Sequence, residues 1–146
     1  MTNRPSKILN RFFSFGNKVH NGLYRMSSGK FANKAANLSI LLITTIGRKS
    51  GKLYTNPVVY LNEGEDYLVA ASAGGSDWHP DWYLNLLKTP EAKIEIGKMN
   101  IKVLATIVEG EDRNRLYGKF IAASSNFIKY EKNTSRVIPV ILLKVT

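Results

Sequence analysis

Residues 47–52, with the sequence GRKSGK, combine two glycines, one hydroxyl and three cationic side chains. Glycine lets the backbone turn sharply, and backbone amides beside Arg and Lys side chains are groups that bind a phosphate or carboxylate. The run therefore predicts an anion-binding tip, with Arg48, Lys49 and Ser50 as its candidate ligands. The alternative is an ordinary hairpin connection with solvated charges, which polar glycine-containing turns commonly form.

A second group of residues is suited to a flat pocket. Residues 70–75 carry almost no side-chain bulk, so a planar ring could lie against them and accept hydrogen bonds from backbone amides. Residues 77–85 contain two tryptophans and a tyrosine that could wall such a pocket, although aromatic residues at this spacing more often belong to the core. Phe127 and Tyr130 could cover the same pocket.

Other catalytic chemistries find little support in the chain. It has no cysteine, and its two histidines, His20 and His79, lack metal-ligand spacing, so we predict no metal site. A G-x-S-x-G nucleophile motif is absent. Asp77 and Asp81 flank His79, but acids around a His-Pro pair more often serve turns and helix caps than catalysis.

Charge is distributed unevenly along the chain. Residues 1–62 contain ten Lys or Arg and no acid, whereas residues 63–146 contain eleven residues of each sign, so the whole net charge of +10 lies in the first part. Such asymmetry predicts an anionic partner: a membrane surface, a nucleic acid or a polyanionic small molecule. Nucleic-acid binding has charge as its only support, since no recognised motif accompanies it, and we predict no nucleic-acid partner.

Residues 7–24 predict an amphipathic helix within this basic part. Its apolar residues recur at steps of three and four: Ile8, Leu9, Phe12, Phe15, Val19 and Leu23. Cations recur every seven residues on another face: Arg4, Arg11, Lys18 and Arg25. Such a helix fits an anionic lipid surface, and it fits equally well against the domain with a solvated basic face. We assign residues 1–37 to this basic helical segment and residues 38–146 to the main domain.

The elements that must position these groups are mainly strands. Alternating or continuous apolar runs predict strands at residues 39–46, 53–61, 67–72, 93–96, 100–108 and 137–145. Residues 27–37 are expected to form a connection or a short helix. Helices are predicted at residues 81–87 and from residue 109 to about 127. Pro139 suggests that the last strand lies at an edge or contains a bulge.

Short turns between the strands favour antiparallel pairing. The expected fold is α+β and mainly β: a small six-stranded antiparallel β-barrel with peripheral helices and an amphipathic N-terminal helix. No apolar run reaches the roughly 18–20 residues of a membrane span, and the N-terminus lacks the pattern of a signal peptide. We therefore expect a cytoplasmic protein.

Several stretches carry a resemblance to a known family: residues 44–51, 56–61, 69–75, 79–86 and 136–140. Through them, residues 38–146 resemble the deazaflavin-dependent nitroreductase family, whose members bind coenzyme F420 in a split β-barrel. The resemblance implies hydride transfer from the reduced cofactor to a quinone, a nitro compound or a similar small acceptor. The N-terminal segment also resembles that of members acting on quinones, which implies a peripheral position on the inner face of the membrane.

The resemblance also implies roles for individual residues. The cofactor tail is expected at Arg48, Lys49 and Ser50, with Tyr54 beside it. The cofactor ring and its ribityl portion are expected against Thr55, Asn56, Pro57, Val58, Val59, Ala70, Ala71, Ser72 and Ala73. The cleft is completed by Asp81, Trp82, Tyr83, Leu84 and Asn85. Ser72 and Tyr130 are the candidate catalytic proton donors, and the substrate is expected at Ser124, Phe127 and Tyr130.

The sequence departs from the family pattern at three residues. Tyr54 stands where a cation would help to hold the cofactor tail, which leaves that task to Arg48, Lys49 and Lys52. Ser124 and Phe127 stand where hydroxylated aromatic residues would favour nitro compounds. Two alternative functions stay open: an FMN-binding split-barrel oxidoreductase, and a non-enzymatic module that binds flavin, lipid or a haem-like ligand. A homodimer is compatible with each of these functions.

Overall fold

A computed structural model describes residues 34–35 and 38–146 of the chain. The predicted amphipathic helix at residues 7–24 lies outside the described residues, so it stays a prediction. The strands are β1 (Lys34–Ala35), β2 (Leu38–Ile46), β3 (Leu53–Glu63), β4 (Asp66–Ala70), β5 (Glu91–Ile96), β6 (Met99–Val108) and β7 (Val140–Val145). The helices are α1 (Asp81–Lys88), α2 (Gly110–Ala123) and α3 (Asn126–Lys132), with a single 3-10 turn at Ala73–Gly75.

The strands form one antiparallel sheet in the order β1-β2-β3-β4-β7-β6-β5. A further antiparallel pairing of β2 with β5, which sets Ile43 opposite Ile94, closes strands β2 to β7 into a barrel. The predicted six-stranded antiparallel barrel with peripheral helices is therefore confirmed. The two-residue strand β1 pairs with the start of β2. It lies within residues 27–37, for which the sequence predicts a connection or a short helix.

Alternation along the strands separates two hydrophobic clusters. On β4, Val69 belongs to a cluster that includes Trp82 and Leu86 of α1, while its neighbour Leu68 belongs to a cluster with Leu116 of α2. Successive side chains of a strand point to opposite faces of the sheet. Both faces of this sheet are therefore covered, one by α1 and the interior of the barrel, the other by α2 and α3.

The C-terminal helical region differs from the sequence-based prediction of one helix to about residue 127. Helix α2 ends at Ala123, and Ser124 has an extended backbone with φ −155° and ψ 126°. The Ser124 hydroxyl then accepts a 3.4 Å hydrogen bond from the Asn126 amide in the first turn of α3. Serine favours caps over helix interiors because its hydroxyl competes for backbone partners, so two consecutive serines divide the predicted helix.

The last strand also differs from the prediction. It begins at Val140 and lies between β4 and β6, so the expectation of an edge position for residues 137–145 is wrong. Pro139 stands one residue before the paired region, and its carbonyl accepts a 2.9 Å hydrogen bond from the Ala71 amide. A proline there costs no ladder hydrogen bond, because its missing N–H falls outside the strand.

Candidate cofactor and substrate site

In the glycine tip between β2 and β3, several backbone amides donate hydrogen bonds to other groups of the tip. The Gly47 amide donates to the Lys52 carbonyl at 2.7 Å, and the Gly51 amide donates to the Gly47 carbonyl at 2.9 Å. The Lys52 amide donates to the Ser50 hydroxyl at 3.2 Å. Among the described residues, the backbone amides of Lys49 and Ser50 have no hydrogen-bond partner. The tip therefore offers fewer amides to an anion than its sequence suggests, and it offers them at its apex.

Arg48 joins the tip to helix α1. Its Nη1 donates to Asn85 Oδ1 at 2.9 Å and its Nη2 donates to Asp81 Oδ1 at 3.0 Å. The Arg48 amide also donates to Asn85 Oδ1, at 3.1 Å, and Lys88 Nζ donates to the Arg48 carbonyl at 2.9 Å. The guanidinium and backbone of one residue thus hold the tip against three side chains of α1.

Asn85 is the buried member of this junction. The residue is 3% exposed, and its Nδ2 donates to Thr45 Oγ1 at 3.0 Å while Oδ1 accepts both hydrogen bonds from Arg48. A buried amide is stabilising only when its donor and acceptor are both satisfied. Asn85 therefore fixes the position of the tip relative to the barrel.

Tyr54 packs beneath the tip. Its hydroxyl lies 3.2 Å from the Ser50 hydroxyl, and a Cβ built on Gly47 would lie 2.6 Å from Tyr54 Cε2. Glycine is needed at position 47 to leave room for that ring. Next to Tyr54, the Thr55 hydroxyl lies 2.8 Å from the Thr44 hydroxyl, and Asn56 pairs with Ile43 across β2 and β3.

A cavity of about 260 Å³ opens beside the tip, where β3, β4, α1 and α3 meet. Ten of the residues singled out from the sequence line it: Pro57, Val58, Val59, Ala70, Ser72, Ala73, Trp82, Ser124, Phe127 and Tyr130. Leu38, Gly74 and Asn126 complete the wall. We call this space the ring cavity. Because Trp82 lines it while Asp81 and Asn85 bind Arg48, helix α1 places the tip and the ring cavity next to each other.

The loop after β4 forms the polar wall of the ring cavity. Ser72 has right-handed helical dihedrals, φ −75° and ψ −32°, and Ala73 follows with φ 46°. A right-handed residue followed by a left-handed one turns successive backbone N–H groups towards one point, an arrangement called a nest that binds oxygen atoms carrying negative charge. Among the described residues, the amides of Ser72, Ala73 and Gly74 have no hydrogen-bond partner.

The wall formed by α3 is held by aromatic contacts. The Tyr117 hydroxyl donates to the Phe127 carbonyl at 2.7 Å, and the Phe127 and Tyr130 rings meet edge to face with centroids 5.2 Å apart. Burial, with a contribution from Glu131, raises the pKa of Tyr117, so its hydroxyl stays protonated and keeps this bond. A Cβ on Gly75 would lie 2.9 Å from Tyr130 Cα, which shows how closely the loop approaches α3.

The remaining predicted site residues lie elsewhere. Ala71 is fully buried in the core, and Leu84 packs against the same hydrophobic cluster. Tyr83 lines a second cavity, of about 510 Å³, together with His79 and Glu109. Burial, followed by the charge of Glu109, raises the pKa of Tyr83. The roles predicted for Ala71, Tyr83 and Leu84 therefore stay predictions, and the ring cavity does not include their side chains.

Sequence reasoning missed two lining residues. Leu38 is the first residue of β2, and Asn126 is the first residue of α3. A boundary residue at the start of a strand carries no sequence signal for a pocket, and the apolar pattern predicts that Asn126 lies inside a continuous helix. Its position after two serines, which commonly cap helices, was the available signal.

The described helices include none that is long and apolar enough to cross a bilayer. Within the same residues, no group of three or more His, Asp or Glu side chains is arranged to hold a metal ion.

Comparison with known proteins places this geometry in a family context. A family model described as F420H(2)-dependent quinone reductase matches residues 17–144. An F420H(2)-dependent quinone reductase of Mycobacterium tuberculosis is 34% identical over 131 residues, which cover 86% of this chain and 87% of that protein.

Two solved structures are also similar. The structure of an F420-H2 dependent reductase, FDR-A, is 33% identical with a TM-score of 0.66, covering 72% of this chain and 93% of that chain. A protein described as a domain-swapped dimer is 28% identical with a TM-score of 0.68, covering 87% of this chain and 97% of that chain.

Proposed function

The chain belongs to the F420H(2)-dependent quinone reductase family, and from that premise we propose how its residues divide the work of a hydride transfer from F420 to a quinone. The protein is an oxidoreductase with coenzyme F420 as its cofactor. The observation that carries the residue assignment is the ring cavity: three separate parts of the chain, β3, the loop after β4 and α3, meet there with Trp82 of α1.

The residues present fit the cofactor in two ways. The ring cavity is lined mainly by apolar residues, and the nest at Ser72–Gly74 supplies amide donors at one edge of it, as a planar ring with carbonyl groups requires. The tip supplies the apical amides of Lys49 and Ser50 and the exposed side chains of Lys49 and Lys52 to an acidic tail. At about 260 Å³ the cavity has room for a ring, and we propose that the tail lies outside it.

Reduced F420 supplies a hydride, so the protein need not provide a nucleophile or a metal. Its tasks are to bind the ring, to orient the acceptor and to exclude water. A quinone that accepts one hydride and one proton becomes a quinol, so a proton donor completes the reaction. Ser72 and Tyr130 both line the cavity, and we propose that one of their hydroxyls, or a water held between them, delivers that proton.

The acceptor is proposed to lie against α3. Phe127 offers an aromatic face, and Ser124, Asn126 and Tyr130 offer polar groups on the same wall. A quinone has a flat apolar ring and two carbonyl oxygens, which this combination suits. A hydroxylated aromatic residue at position 127 would favour nitro compounds, and Phe127 has no hydroxyl. We therefore propose that a quinone is a better substrate than a nitro compound.

Membrane association, a position on the cytoplasmic side and a homodimer are also proposals. The basic segment at residues 1–37 is proposed to bring the protein to an anionic membrane surface, where quinones reside, on the cytoplasmic side. A homodimer is proposed because a relative of similar fold is described as a dimer.

The test of the proposed function is an anaerobic assay with purified protein and reduced F420. We expect a soluble quinone to be reduced with one F420H2 oxidised per quinone, and a nitro compound to be reduced more slowly. If neither acceptor is reduced while F420 binds, the assignment of the acceptor fails. If F420 does not bind and FMN does, the cofactor assignment fails as well.

A further inference from the structure

Arg136, in the connection between α3 and β7, binds the loop that forms the nest. Its Nε donates to the Ser76 carbonyl at 2.8 Å, its Nη1 donates to the Ala71 carbonyl at 3.2 Å, and its Nη2 donates to the Ser72 carbonyl at 2.8 Å. Nη1 also lies 3.1 Å from His79 Nδ1. One planar guanidinium therefore gathers three carbonyls from a stretch of six residues.

The charged guanidinium of Arg136 donates hydrogen bonds to backbone carbonyl oxygens. None of its hydrogen bonds among the described residues goes to a carboxylate. Burial lowers the pKa of the guanidinium and the charge of Asp77 opposes that shift, but arginine remains charged at physiological pH. A charged donor bonded to a carbonyl makes a stronger hydrogen bond than a neutral one does, and it polarises the peptide group to which the carbonyl belongs.

These bonds dictate where the opposite ends of the same peptide groups point. In a trans peptide the N–H is directed opposite to the C=O. The Ala71 carbonyl shares its peptide group with the Ser72 amide, and the Ser72 carbonyl shares its own with the Ala73 amide. With both carbonyls on Arg136, the Ser72 and Ala73 amides point away from the guanidinium, and both residues line the ring cavity.

The loop needs such support because its conformation is unfavourable. Ala73 has φ 46°, a region that residues with a Cβ rarely occupy. Other contacts support the same shape: the Ser76 hydroxyl donates to the Ala73 carbonyl at 2.6 Å, and the Gly75 amide donates to the Ser72 carbonyl at 2.9 Å. Those two hydrogen bonds join residues within the loop, whereas the hydrogen bonds from Arg136 come from a charged side chain outside it.

We infer that Arg136 is a positioning residue for the reaction: by holding the Ala71 and Ser72 carbonyls it directs and polarises the Ser72 and Ala73 amides that bind the cofactor ring. The inference rests on the proposed function, because it assigns a task to the ring cavity. Arg136 itself does not line that cavity, so its proposed effect is indirect, through the peptide groups of the loop.

The experiment compares two ligands: whole F420, and its deazaflavin chromophore without the phosphate and acidic tail. Binding is followed by the fluorescence of the chromophore. Arg136→Ala is expected to weaken both ligands equally, by about 10- to 100-fold, and to lower kcat for quinone reduction. Arg136→Lys is expected to give intermediate values, since an ammonium keeps the charge but cannot span three carbonyls.

Two control variants separate this effect from others. Arg115→Ala removes a cation from the exposed face of α2, where it lies 3.9 Å from Asp112, and is expected to change neither affinity nor kcat. The double variant Arg48→Ala with Lys49→Ala is expected to weaken whole F420 while leaving the tail-free chromophore unchanged. Equal losses for both ligands at Arg136, and unequal losses at the tip, would support the inference.

A purely structural role for Arg136 predicts a different result. A lower melting temperature with unchanged affinity for the tail-free chromophore and unchanged kcat in the folded variant would overturn the inference. If Arg136→Ala does not fold, Arg136→Lys decides by the same criterion. If the unaltered protein fails to bind F420, the proposed function and this inference fall together, whereas F420 binding that is indifferent to position 136 overturns the inference alone.

Discussion

Arg48 Nη2 lies 3.0 Å from Asp81 Oδ1, so the leading cation of the glycine tip is ion-paired to the first residue of helix α1. The Arg48 side chain is 20% exposed and that of Asp81 is 63% exposed. The sequence predicts Arg48 as a direct anion ligand. In the structure its guanidinium is shared with α1, which places Lys49 and the apical amides in the more exposed position towards an anionic tail.

Asp81→Asn tests the consequence of that sharing. Removing the carboxylate releases Arg48 Nη2 and takes away a negative charge beside the tip, so we expect F420 affinity to rise about two- to fivefold. The free energy of unfolding should change by less than about 1 kcal/mol, because the Asp81 carboxylate is largely exposed to solvent. Affinity is measured by fluorescence titration at low and high salt.

The matched control is Asp112→Asn, which removes the same charge from another Arg–Asp pair, on α2. It is expected to leave F420 affinity unchanged. A marked loss of affinity in Asp81→Asn would show instead that Arg48 depends on Asp81 for its orientation.

Gly75→Ala tests the close approach of the loop to α3. Gly75 has φ 83°, and an added Cβ would lie 2.9 Å from Tyr130 Cα and 3.2 Å from the Tyr130 carbonyl. Backbone strain and displacement of α3 should together lower the free energy of unfolding by about 2–4 kcal/mol. We also expect weaker acceptor binding, since Tyr130 forms part of the cavity wall. Urea unfolding and the KM for the quinone are the measurements.

Gly64→Ala separates backbone strain from the clash. Gly64 has φ 61° and nothing within 4 Å of its added Cβ, so the expected loss is about 1 kcal/mol. Equal losses at positions 64 and 75 would contradict the structural account of Gly75.

The proton donor is tested by Ser72→Ala combined with Tyr130→Phe. If a hydroxyl in the ring cavity supplies the proton, kcat for quinone reduction should fall by about 100-fold or more while F420 affinity stays the same. The single variants then show which hydroxyl matters. Tyr67→Phe, which removes a hydroxyl from a ring on β4 paired edge to face with Tyr60, is the control. A double variant with unchanged kcat would assign the proton to solvent.

The raised pKa values of Tyr117 and Tyr83 predict that the free energy of unfolding falls at alkaline pH. The pKa of Tyr117 lies above the ordinary value of 10.0 because of burial and Glu131, and that of Tyr83 lies above it because of burial and Glu109. The unfolded chain therefore loses these protons at lower pH than the folded protein does. Stability from these groups is fully present below about pH 10 and declines as the pH rises above it.

Urea unfolding between pH 8 and pH 11 measures this decline. We expect Tyr117→Phe to flatten the pH dependence, although it also removes the hydrogen bond to the Phe127 carbonyl and so lowers stability at pH 8. An unchanged alkaline slope in Tyr117→Phe would contradict the assignment.

Local sequence signals predicted most of the barrel. Apolar patterns and glycine turns indicated the six strands well. A strand buried on one face alternates apolar and polar residues, and a strand buried on both faces has a continuous apolar run. The prediction of an edge strand from Pro139 is wrong because the effect of a proline depends on its exact position. Inside the strand it would remove a hydrogen bond between strands, but Pro139 lies one residue before the strand begins. The break at Ser124 was missed because the apolar pattern continues across it from Phe120 to Phe127.

The candidate site was predictable where a segment lines it directly and hidden where it depends on distant contacts. The loop at residues 70–75 and the tip could be recognised from their composition. The task of Asn85, which joins Arg48 to Thr45 across 40 residues of sequence, has no local signal. Arg136 is similar: the carbonyls it binds lie 60 to 65 residues away in the chain, and carbonyl groups are the same in every residue.

The most direct test of the account is a titration of the purified protein with F420, with FMN in a parallel experiment. We predict saturable binding of one F420 per chain at micromolar or lower concentration, weakened about 10- to 1000-fold in the double variant Arg48→Ala with Lys49→Ala, and no comparable affinity for FMN. Binding of FMN with no binding of F420, or F420 binding unaffected by the double variant, would contradict it.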